Sequence, residues 1–466
     1  LGMTGPAREH DAVNIIPICS DAVNRSGFAD AYNRHHIFLT THENQPCMTI
    51  SLKGRNEQNM NQRHDEPYIR SVTELGDTRN VVTSQAIYAG NNIKLVEKGV
   101  RVDSSLYERL VRHKLVPQID QCLTVEDGVD QQVLLDYAKK LLDERLDFPL
   151  LDSRPDYRER MLQAIAGIPL PPPLAFKLTV AQCQRPEIFD HSIRIALISL
   201  YLAIRSQQHS DQELVWLAAA AVLHDIGMLH IPRDLLQSGY RMEQGERRHL
   251  YAHPITGFLI LSKHPQCHPH ISRPVFEHHE RLDGSGYPRG LIEADICAAA
   301  QVLMLADVAA VAFERRPQPR SLARLSVLLR LNQRKFNREL GNLLISLISA
   351  LQEGMQPEVC AEPLPAVAEK SEKIASVFRE WNAIGAECRS ECGRHPAGDY
   401  VESRMSDLLI TLLDAGFDID KPAAMLEILS GDEIAMQELN LLMSETRWQL
   451  LDIFNEVRRR WQKADV

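Results

Sequence analysis

Eight residues that could hold metal ions lie between positions 187 and 307 of this sequence. They include two adjacent pairs, and the full set is Glu187, His191, His224, Asp225, His253, His278, His279 and Asp307. A buried imidazole or carboxylate needs a polar partner, and a metal ion satisfies several such groups at once. The set therefore predicts a metal cluster within a helical core.

The first four of these residues have spacings that suit shared ligation. Glu187 and His191 are four residues apart, so on a helix both lie on one face and can reach one ion. His224 and Asp225 directly follow the run 214–223, which is apolar on all faces and predicts a buried helix. An unpaired aspartate there would be costly, whereas its carboxylate can bridge two cations. The alternatives are an exposed helix-surface pair at the first two positions and a capping pair at a surface turn for the others.

The other four residues complete the set in different ways. On a helix, His278 and His279 would point about 100° apart, so they can serve different ions. Asp307 is a charge within the apolar run 303–308, which makes it a functional candidate. His253, taken alone, is more typical of a structural histidine, and only the other candidate ligands make it a candidate for metal binding.

The elements that must position these residues are predicted to be helices, in a mainly α fold. The pattern is helical from about 175 to 352, between proline-containing breaks at 168–174 and 355–365. The predicted organisation is residues 1–75 unassigned and loop-rich, 76–128 a small α+β hairpin-helix module, 129–174 a helical linker, 175–352 an all-helical metal-binding domain, and 366–466 a C-terminal helical bundle. The apolar stretch 296–313 contains a charge, which favours a buried core helix over a membrane span.

Finer predictions follow for the flanking regions. Strands at 81–88 and 93–96 are joined by a turn and followed by a helix at 106–114. Residues 56–63 are typical of loop or disorder, and the short pieces 36–39 and 48–52 could be strands. Further helices are predicted at 133–144, 157–166, 367–388, 399–415, 421–430 and 433–462.

Composition limits the possible partners and location. The chain has 466 residues and a net charge of −10, so binding to a nucleic acid polymer, which needs a basic face, is not expected. The nine cysteines are scattered, which predicts reduced thiols in a cytoplasmic protein. Cys388, Cys392 and His395 lack a fourth zinc ligand at familiar spacing, so ordinary residues are the favoured interpretation. No secretory signal is visible at the N-terminus.

Two of the motifs together resemble the HD-GYP family, a branch of the HD phosphohydrolases. They are His224-Asp225 and the run His278-His-Glu-Arg-Leu-Asp-Gly-Ser-Gly-Tyr-Pro288. The second motif is long and specific, and the resemblance covers roughly residues 175–352. It implies an all-helical domain that hydrolyses cyclic di-GMP to pGpG or to GMP, with two or three divalent ions of iron or manganese.

The resemblance also implies roles for individual residues. The ligands carried over by position are His191, His224, Asp225, His253, His278, His279 and Asp307. Glu187 would be the extra carboxylate of members that bind three ions. Asp225, beside His224, would be the bridging carboxylate at the catalytic centre, and Tyr287 would lie at the substrate pocket. A hydroxide bridging two ions about 3.5–4 Å apart supplies both a nucleophile and charge neutralisation for phosphodiester hydrolysis.

The sequence departs from the family at two places. The family usually has a lysine where this chain has Met228, and methionine can neither donate a proton nor offer a charge to a phosphate. Absence of that lysine could slow hydrolysis by roughly 10²–10⁴-fold. The segment 309–320 is also altered, although Arg316 and Arg320 remain candidates for substrate binding. A solvated basic loop is the alternative for these two arginines.

Three hypotheses follow. The first is a metal-dependent cyclic di-GMP phosphodiesterase, supported by a complete ligand set. The second is a regulatory protein that binds a cyclic dinucleotide at a metal centre with little or no turnover, supported by Met228. The third is an HD phosphohydrolase acting on another nucleotide. The C-terminal stripe with Leu439, Leu442 and Leu450 could form a homodimer or bind a partner, or could pack internally.

Overall fold

The structure is a computed structural model that describes residues 38–40, 49–51, 57–144, 155–236, 244–313, 318–353, 355, 363–391, 396–429 and 431–461. Its fold is mainly helical, as predicted. The helices are α1 (Glu57–Thr78), α2 (Tyr107–Val111), α3 (Gln131–Glu144), α4 (Pro155–Ala166), α5 (Pro172–Gln184), α6 (Pro186–Ser206), α7 (Asp211–Leu223), α8 (Gln244–Leu261), α9 (Pro269–Glu277), α10 (Ala298–Ala310), α11 (Pro319–Leu331), α12 (Arg338–Gln352), α13 (Leu364–Glu391), α14 (Pro396–Asp414), α15 (Pro422–Leu429) and α16 (Glu433–Trp461). The strands are β1 (Phe38–Thr40), β2 (Thr49–Ser51), β3 (Val81–Thr83), β4 (Ile87–Ala89), β5 (Lys94–Val96), β6 (Leu115–Val116) and β7 (Leu123–Val125).

The N-terminal module contains more strands than its sequence pattern predicts. The predicted strand 81–88 is two strands, because the chain changes partners: β3 pairs antiparallel with β7, whereas β4 pairs antiparallel with β5 and β6. The predicted turn between β4 and β5 includes Asn92 at φ 65°. The predicted helix 106–114 is shorter, since α2 follows a 3₁₀ turn capped by Asp103, which accepts from the Ser105 amide at 3.0 Å.

The prediction of loop or disorder at 56–63 is wrong from residue 57 onward, because α1 begins there. The second half of α1 buries Tyr68, Ile69, Val72 and Leu75, which recur on one helical face. Packing of that face stabilises the helix, and polar side chains with adequate helix propensity extend it toward its N-terminus. Tertiary contacts therefore outweigh the weak local pattern.

Helix α7 is at the centre of the metal-binding domain. Ser210 begins it with a capping box, in which the Ser210 amide donates to Glu213 Oε2 at 2.8 Å. Residues 217–223 are buried without interruption, and α4, α6, α9 and α10 pack around the helix. The run 214–223 is therefore a buried helix, as its all-apolar pattern predicted.

One segment, Asp211–His230, is long and apolar enough to cross a membrane by length and composition, and 67% of its most apolar window is buried inside the protein. That burial is what a core helix of a globular domain shows. The apolar stretch at 296–313 forms α10 and a following 3₁₀ turn, and both are largely buried, as predicted.

The C-terminal region forms the four predicted helices, α13 to α16. Their apolar residues make a second core that includes Val327 and Leu331 of α11. Leu439 and Leu442 are buried in this core, and Leu450 packs against it. The stripe therefore packs internally rather than lying free for a partner. Cys392 and His395 lie outside the described residues, and the Cys388 side chain is not described either.

Candidate metal centre

Five consecutive helices of the domain bring the predicted ligands together. Helix α6 carries His191, α8 carries His253 and α10 carries Asp307. The other ligands lie at helix ends: His224 and Asp225 follow α7, and His278 and His279 follow α9. At a helix end a side chain can leave the cylinder without breaking the internal hydrogen-bond ladder.

Three of the histidines have the same backbone anchor. The Nδ1–H of His224 donates to the Ala221 carbonyl at 2.8 Å, and that of His278 donates to the Val275 carbonyl at 2.7 Å. His253 likewise donates to the carbonyl three residues earlier, that of Leu250, at 2.5 Å. Because Nδ1 of each ring is bonded to a backbone carbonyl, Nε2 is the nitrogen that can bind a metal ion.

The ligand atoms form two groups of three, within each of which all lie inside 4.8 Å of one another. One group is His191, His224 and Asp225, and the other is His253, His278 and His279. Asp225 joins the groups: its Oδ2 is 3.4 Å from His224 Nε2, and its Oδ1 is 3.2 Å from His253 Nε2. This is the position that a carboxylate bridging two ions requires.

Asp307 makes a second link between the groups. Its Oδ1 accepts a hydrogen bond from His191 Nε2 at 3.2 Å, and its Oδ2 is 3.9 Å from His279 Nδ1. The Asp307 side chain is only 2% exposed. A carboxylate so far from water needs hydrogen-bond donors or a cation to stabilise its charge.

Several atoms of the centre lack the partners that burial demands. Within the described part of the chain, His224 Nε2, His279 Nδ1 and Asp307 Oδ2 are buried without a hydrogen-bond partner. In addition, His253 Nε2 and His278 Nε2 are 3.2 Å apart, although both rings hold their protons on Nδ1. Two facing lone pairs repel unless they share a cation, so the residues fit divalent metal ions.

Burial and neighbouring charges set the protonation states of these groups. Burial would raise the pKa of Asp225, but electrostatic attraction to His224 and to His253 holds it well below its usual range. Burial likewise opposes protonation of His224, yet the carboxylate of Asp225 raises the pKa of His224 to about 9. Burial, together with charge on His224 and His253, lowers the pKa of His278 to about 3. His278 is therefore neutral and available as a ligand at neutral pH.

Glu187 is not brought into this cluster. Its Oε1 accepts from Arg185 Nε at 2.8 Å, and its side chain is 63% exposed. Among the described residues, no hydrogen bond or ion pair joins it to His191 or to the other candidate ligands. The prediction that Glu187 binds a third ion stays a prediction.

The candidate substrate-binding residues differ in their position relative to the candidate metal ligands. The Tyr287 ring stacks on His279 with centroids 4.7 Å apart, so it borders the metal ligands. Arg320 is exposed at the start of α11, and Arg316 lies outside the described residues. Met228 is half-buried in the 3₁₀ turn Ile226–His230, and its amide donates to the Asp225 carbonyl at 2.8 Å.

Sequence reasoning missed the carboxylates that hold the loop carrying Tyr287. Glu280 accepts from the amides of Arg289 at 2.7 Å and Leu291 at 2.9 Å. Glu277, which is fully buried, binds the Arg289 guanidinium at 2.5 Å. Glu277 could have been suspected, since it is a charge at the end of an apolar helical face.

Two glycines allow the close approaches that the site needs. A Cβ atom on Gly227 would lie 2.2 Å from the His253 carbonyl oxygen, so only glycine lets the turn after Asp225 reach α8. A Cβ atom on Gly286 would lie 2.3 Å from the Arg281 amide nitrogen. Both positions therefore exclude any larger residue.

A buried helical core with paired histidines and aspartates matches a known family. Residues 179–325 match the family model described as HD domain. This part of the chain is similar to HD domains. It includes all seven clustered candidate ligands, so the resemblance recognised in the sequence is confirmed.

Several curated proteins are similar to this region. A 3'3'-cGAMP-specific phosphodiesterase 3 of Vibrio cholerae is 32% identical over 138 residues, which is 30% of each chain. A cyclic di-GMP phosphodiesterase response regulator of Xanthomonas campestris is 33% identical over 23% of this chain and 29% of its own length. A cyclic di-GMP phosphodiesterase of Thermotoga maritima is 33% identical over 28% of this chain and 36% of its own length. This chain thus spans about a third of the length of the relatives it matches.

Proposed function

We propose that this chain is a metal-dependent phosphodiesterase that hydrolyses cyclic di-GMP to pGpG or to GMP. The observation that carries the proposal is the position of Asp225, whose two oxygens face two separate groups of imidazoles. The names of the similar proteins, which are phosphodiesterases for cyclic di-GMP or 3'3'-cGAMP, support the choice of a cyclic dinucleotide.

The roles of the chain's own residues follow from the geometry. Asp225 and Asp307 would each hold ions of both groups, with the histidines completing the two coordination shells. When bound, the ions supply water activation and neutralise charge on the phosphoryl oxygens. We propose Fe or Mn, because imidazole and carboxylate ligands without thiolates suit these metals.

Tyr287 has a role in placing the substrate. Its ring lies on His279 and meets the Tyr251 ring edge-on at 4.9 Å. Burial raises the pKa of Tyr287 well above its usual range, so its hydroxyl stays neutral and can donate to a phosphate oxygen. We assign it to orienting the phosphodiester beside the metal ligands.

The cysteines support a cytoplasmic location. Within the described residues, Cys122, Cys183, Cys267 and Cys297 are all free thiols. Unpaired cysteines persist where the environment is reducing. We therefore propose that the enzyme meets its substrate in the cytoplasm. Because the chain has a net charge of −10, we also propose that nucleic acid polymers are not its partners.

A second candidate function is cyclic dinucleotide binding with little or no turnover, and Met228 favours it. The residue follows Asp225 by three positions, where the family has a lysine, and its thioether cannot transfer a proton. Such a protein would keep the metal ions and the substrate pocket but act as a receptor.

One experiment separates the two candidates. The full chain is stripped of metal, reloaded with Mn²⁺ or anaerobically with Fe²⁺, and incubated with cyclic di-GMP or with 3'3'-cGAMP. Nucleotide products are resolved by anion-exchange chromatography, and binding is measured by calorimetry, with Asp225→Ala as the control. Metal-dependent release of pGpG that Asp225→Ala abolishes supports the enzyme. Tight binding without product supports the receptor, and faster cleavage of cGAMP reassigns the substrate.

A further inference from the structure

Arg185 is a buried cation beside the metal centre. It lies at the junction of α5 and α6 and is only 2% exposed. Its Nε donates to Glu187 Oε1 at 2.8 Å and one terminal nitrogen donates weakly to the Ile231 carbonyl at 3.4 Å. The other terminal nitrogen is buried and has no hydrogen-bond partner among the residues that the structure describes. A guanidinium that is buried in this way has lost most of its hydration, so its positive charge must be stabilised by a carboxylate of the protein.

Glu187 is that carboxylate. In the described part of the chain, the Arg185–Glu187 pair is the one ion pair that Arg185 forms. If Glu187 turned inward to bind an ion near His191, the guanidinium would be left buried and uncompensated. Leaving a buried charge without its partner is strongly destabilising.

Charge opposes a third ion for a second reason. A divalent cation bound by Glu187 would lie next to the fixed positive charge of Arg185, and like charges in a poorly solvated site repel strongly. Six of the seven other candidate ligands form two groups of three, which Asp225 and the seventh residue, Asp307, link. Two ions can be held without any contribution from Glu187.

We infer that Arg185 holds Glu187 out of the metal centre, so that this chain binds two ions rather than three. The inference rests on the proposed metal centre and specifies its stoichiometry. The guanidinium of Arg185 pairs with the carboxylate of Glu187 and neutralises it, which a third ion would otherwise do.

The test counts metal ions in the full chain, after chelator treatment, reloading with Mn²⁺ and removal of free metal, by plasma mass spectrometry. We expect two ions per chain in the wild-type protein and also in Glu187→Gln. Because Glu187→Gln leaves Arg185 without its partner, its melting temperature should fall by several degrees at an unchanged metal content. Three ions in the wild-type protein, reduced to two by Glu187→Gln, would overturn the inference.

A second variant tests the role of Arg185 directly. Arg185→Gln releases Glu187, so we expect its metal content to rise from two ions to three when it folds. A folded Arg185→Gln protein with two ions contradicts the inference; if that variant does not fold, the Glu187→Gln comparison decides alone. Failure of the wild-type chain to bind any ion would overturn the proposed metal centre itself, a result distinct from a count of three.

Discussion

Two buried polar clusters lie on either side of the 3₁₀ turn Ile226–His230, and they neutralise charge in opposite ways. The metal cluster comprises the seven candidate ligands His191, His224, Asp225, His253, His278, His279 and Asp307. Its member Asp225 directly precedes the turn. The lysine cluster contains His230, whose Nδ1 is 3.3 Å from Asp65, and Tyr68, which stacks on His230 at 4.9 Å. Its cation is Lys177, and it connects α1, α5 and the 3₁₀ turn after β6.

The lysine cluster supplies its own positive charge. Lys177 Nζ is 3.5 Å from Asp120 Oδ2, with both side chains buried, and lies 3.6 Å from the centre of the Tyr68 ring. The pKa of Lys177 is lowered by burial, an effect that its attraction to Asp120 opposes. In the metal cluster, by contrast, imidazole nitrogens and carboxylate oxygens face one another.

The difference shows which signal identifies a metal site. Both clusters contain buried atoms without hydrogen-bond partners, such as His279 Nδ1 in one and His230 Nε2 in the other. Orphaned atoms alone are therefore insufficient evidence. Among the described residues, groups of three or more potential ligand atoms within 4.8 Å occur only in the metal cluster.

The largest expected effect is from Asp225→Ala, which removes the link between the two groups of ligands. We expect loss of stoichiometric metal and a fall in phosphodiester hydrolysis of about 10³-fold or more, because several kcal/mol of charge stabilisation disappear. Metal content and pGpG formation measure the two effects. Asp211→Ala is the control, since its side chain is 85% exposed on the surface. A full metal content in Asp225→Ala would contradict the ligand assignment and remove the contrast between the clusters.

Lys177→Met should affect stability rather than metal binding. It leaves Asp120 buried without its cation, so we expect a loss of about 3–5 kcal/mol in the free energy of unfolding. Urea unfolding followed by circular dichroism measures it, and metal content should be unchanged. Lys94→Met, at a pair whose side chains are 44% and 65% exposed, should leave the free energy of unfolding almost unchanged. Equal losses in both variants would show that the lysine cluster is not the self-neutralised site described above.

Met228→Lys changes the turn that separates the clusters. If a missing proton donor limits hydrolysis, the variant should turn over cyclic di-GMP at least about 10²-fold faster, at constant metal content. Met228→Leu is the matched control, because it keeps an apolar side chain of similar size. An unchanged rate in Met228→Lys would mean that this position does not restrict catalysis.

The smallest expected effect is a pH dependence of metal binding. In the metal-free protein the pKa of His224 is raised to about 9, so below that pH a metal ion must displace its proton. The apparent affinity for Mn²⁺ should therefore rise about tenfold per pH unit up to about pH 9 and then level off. Competition with a chromophoric chelator measures this slope. An apparent affinity that does not change with pH would show that metal binding does not displace a proton from His224.

The sequence predicted the chemistry of the site better than its surroundings. Adjacent pairs such as His224-Asp225 and His278-His279 identify candidate ligands because few other roles suit them in apolar runs. Helices α7 and α10 were predicted by continuous apolar pattern. The division of 81–88 into two strands could not be predicted, because strand partners far away in the chain decide it. The helix over 57–63 was missed for a related reason: packing of the later face of α1 stabilises it.

By itself, the sequence determined the residue types of the metal centre and the helical class of its domain, because both follow from local spacing and periodicity. Only the tertiary structure decided which residues meet. It placed Asp225 between two groups of histidines, and it paired Glu187 with Arg185 although its spacing from His191 suited shared ligation. The reason is physical: the partner of a charged side chain depends on which other charges the fold buries beside it. The spacing of two residues in the sequence does not show which charges those are.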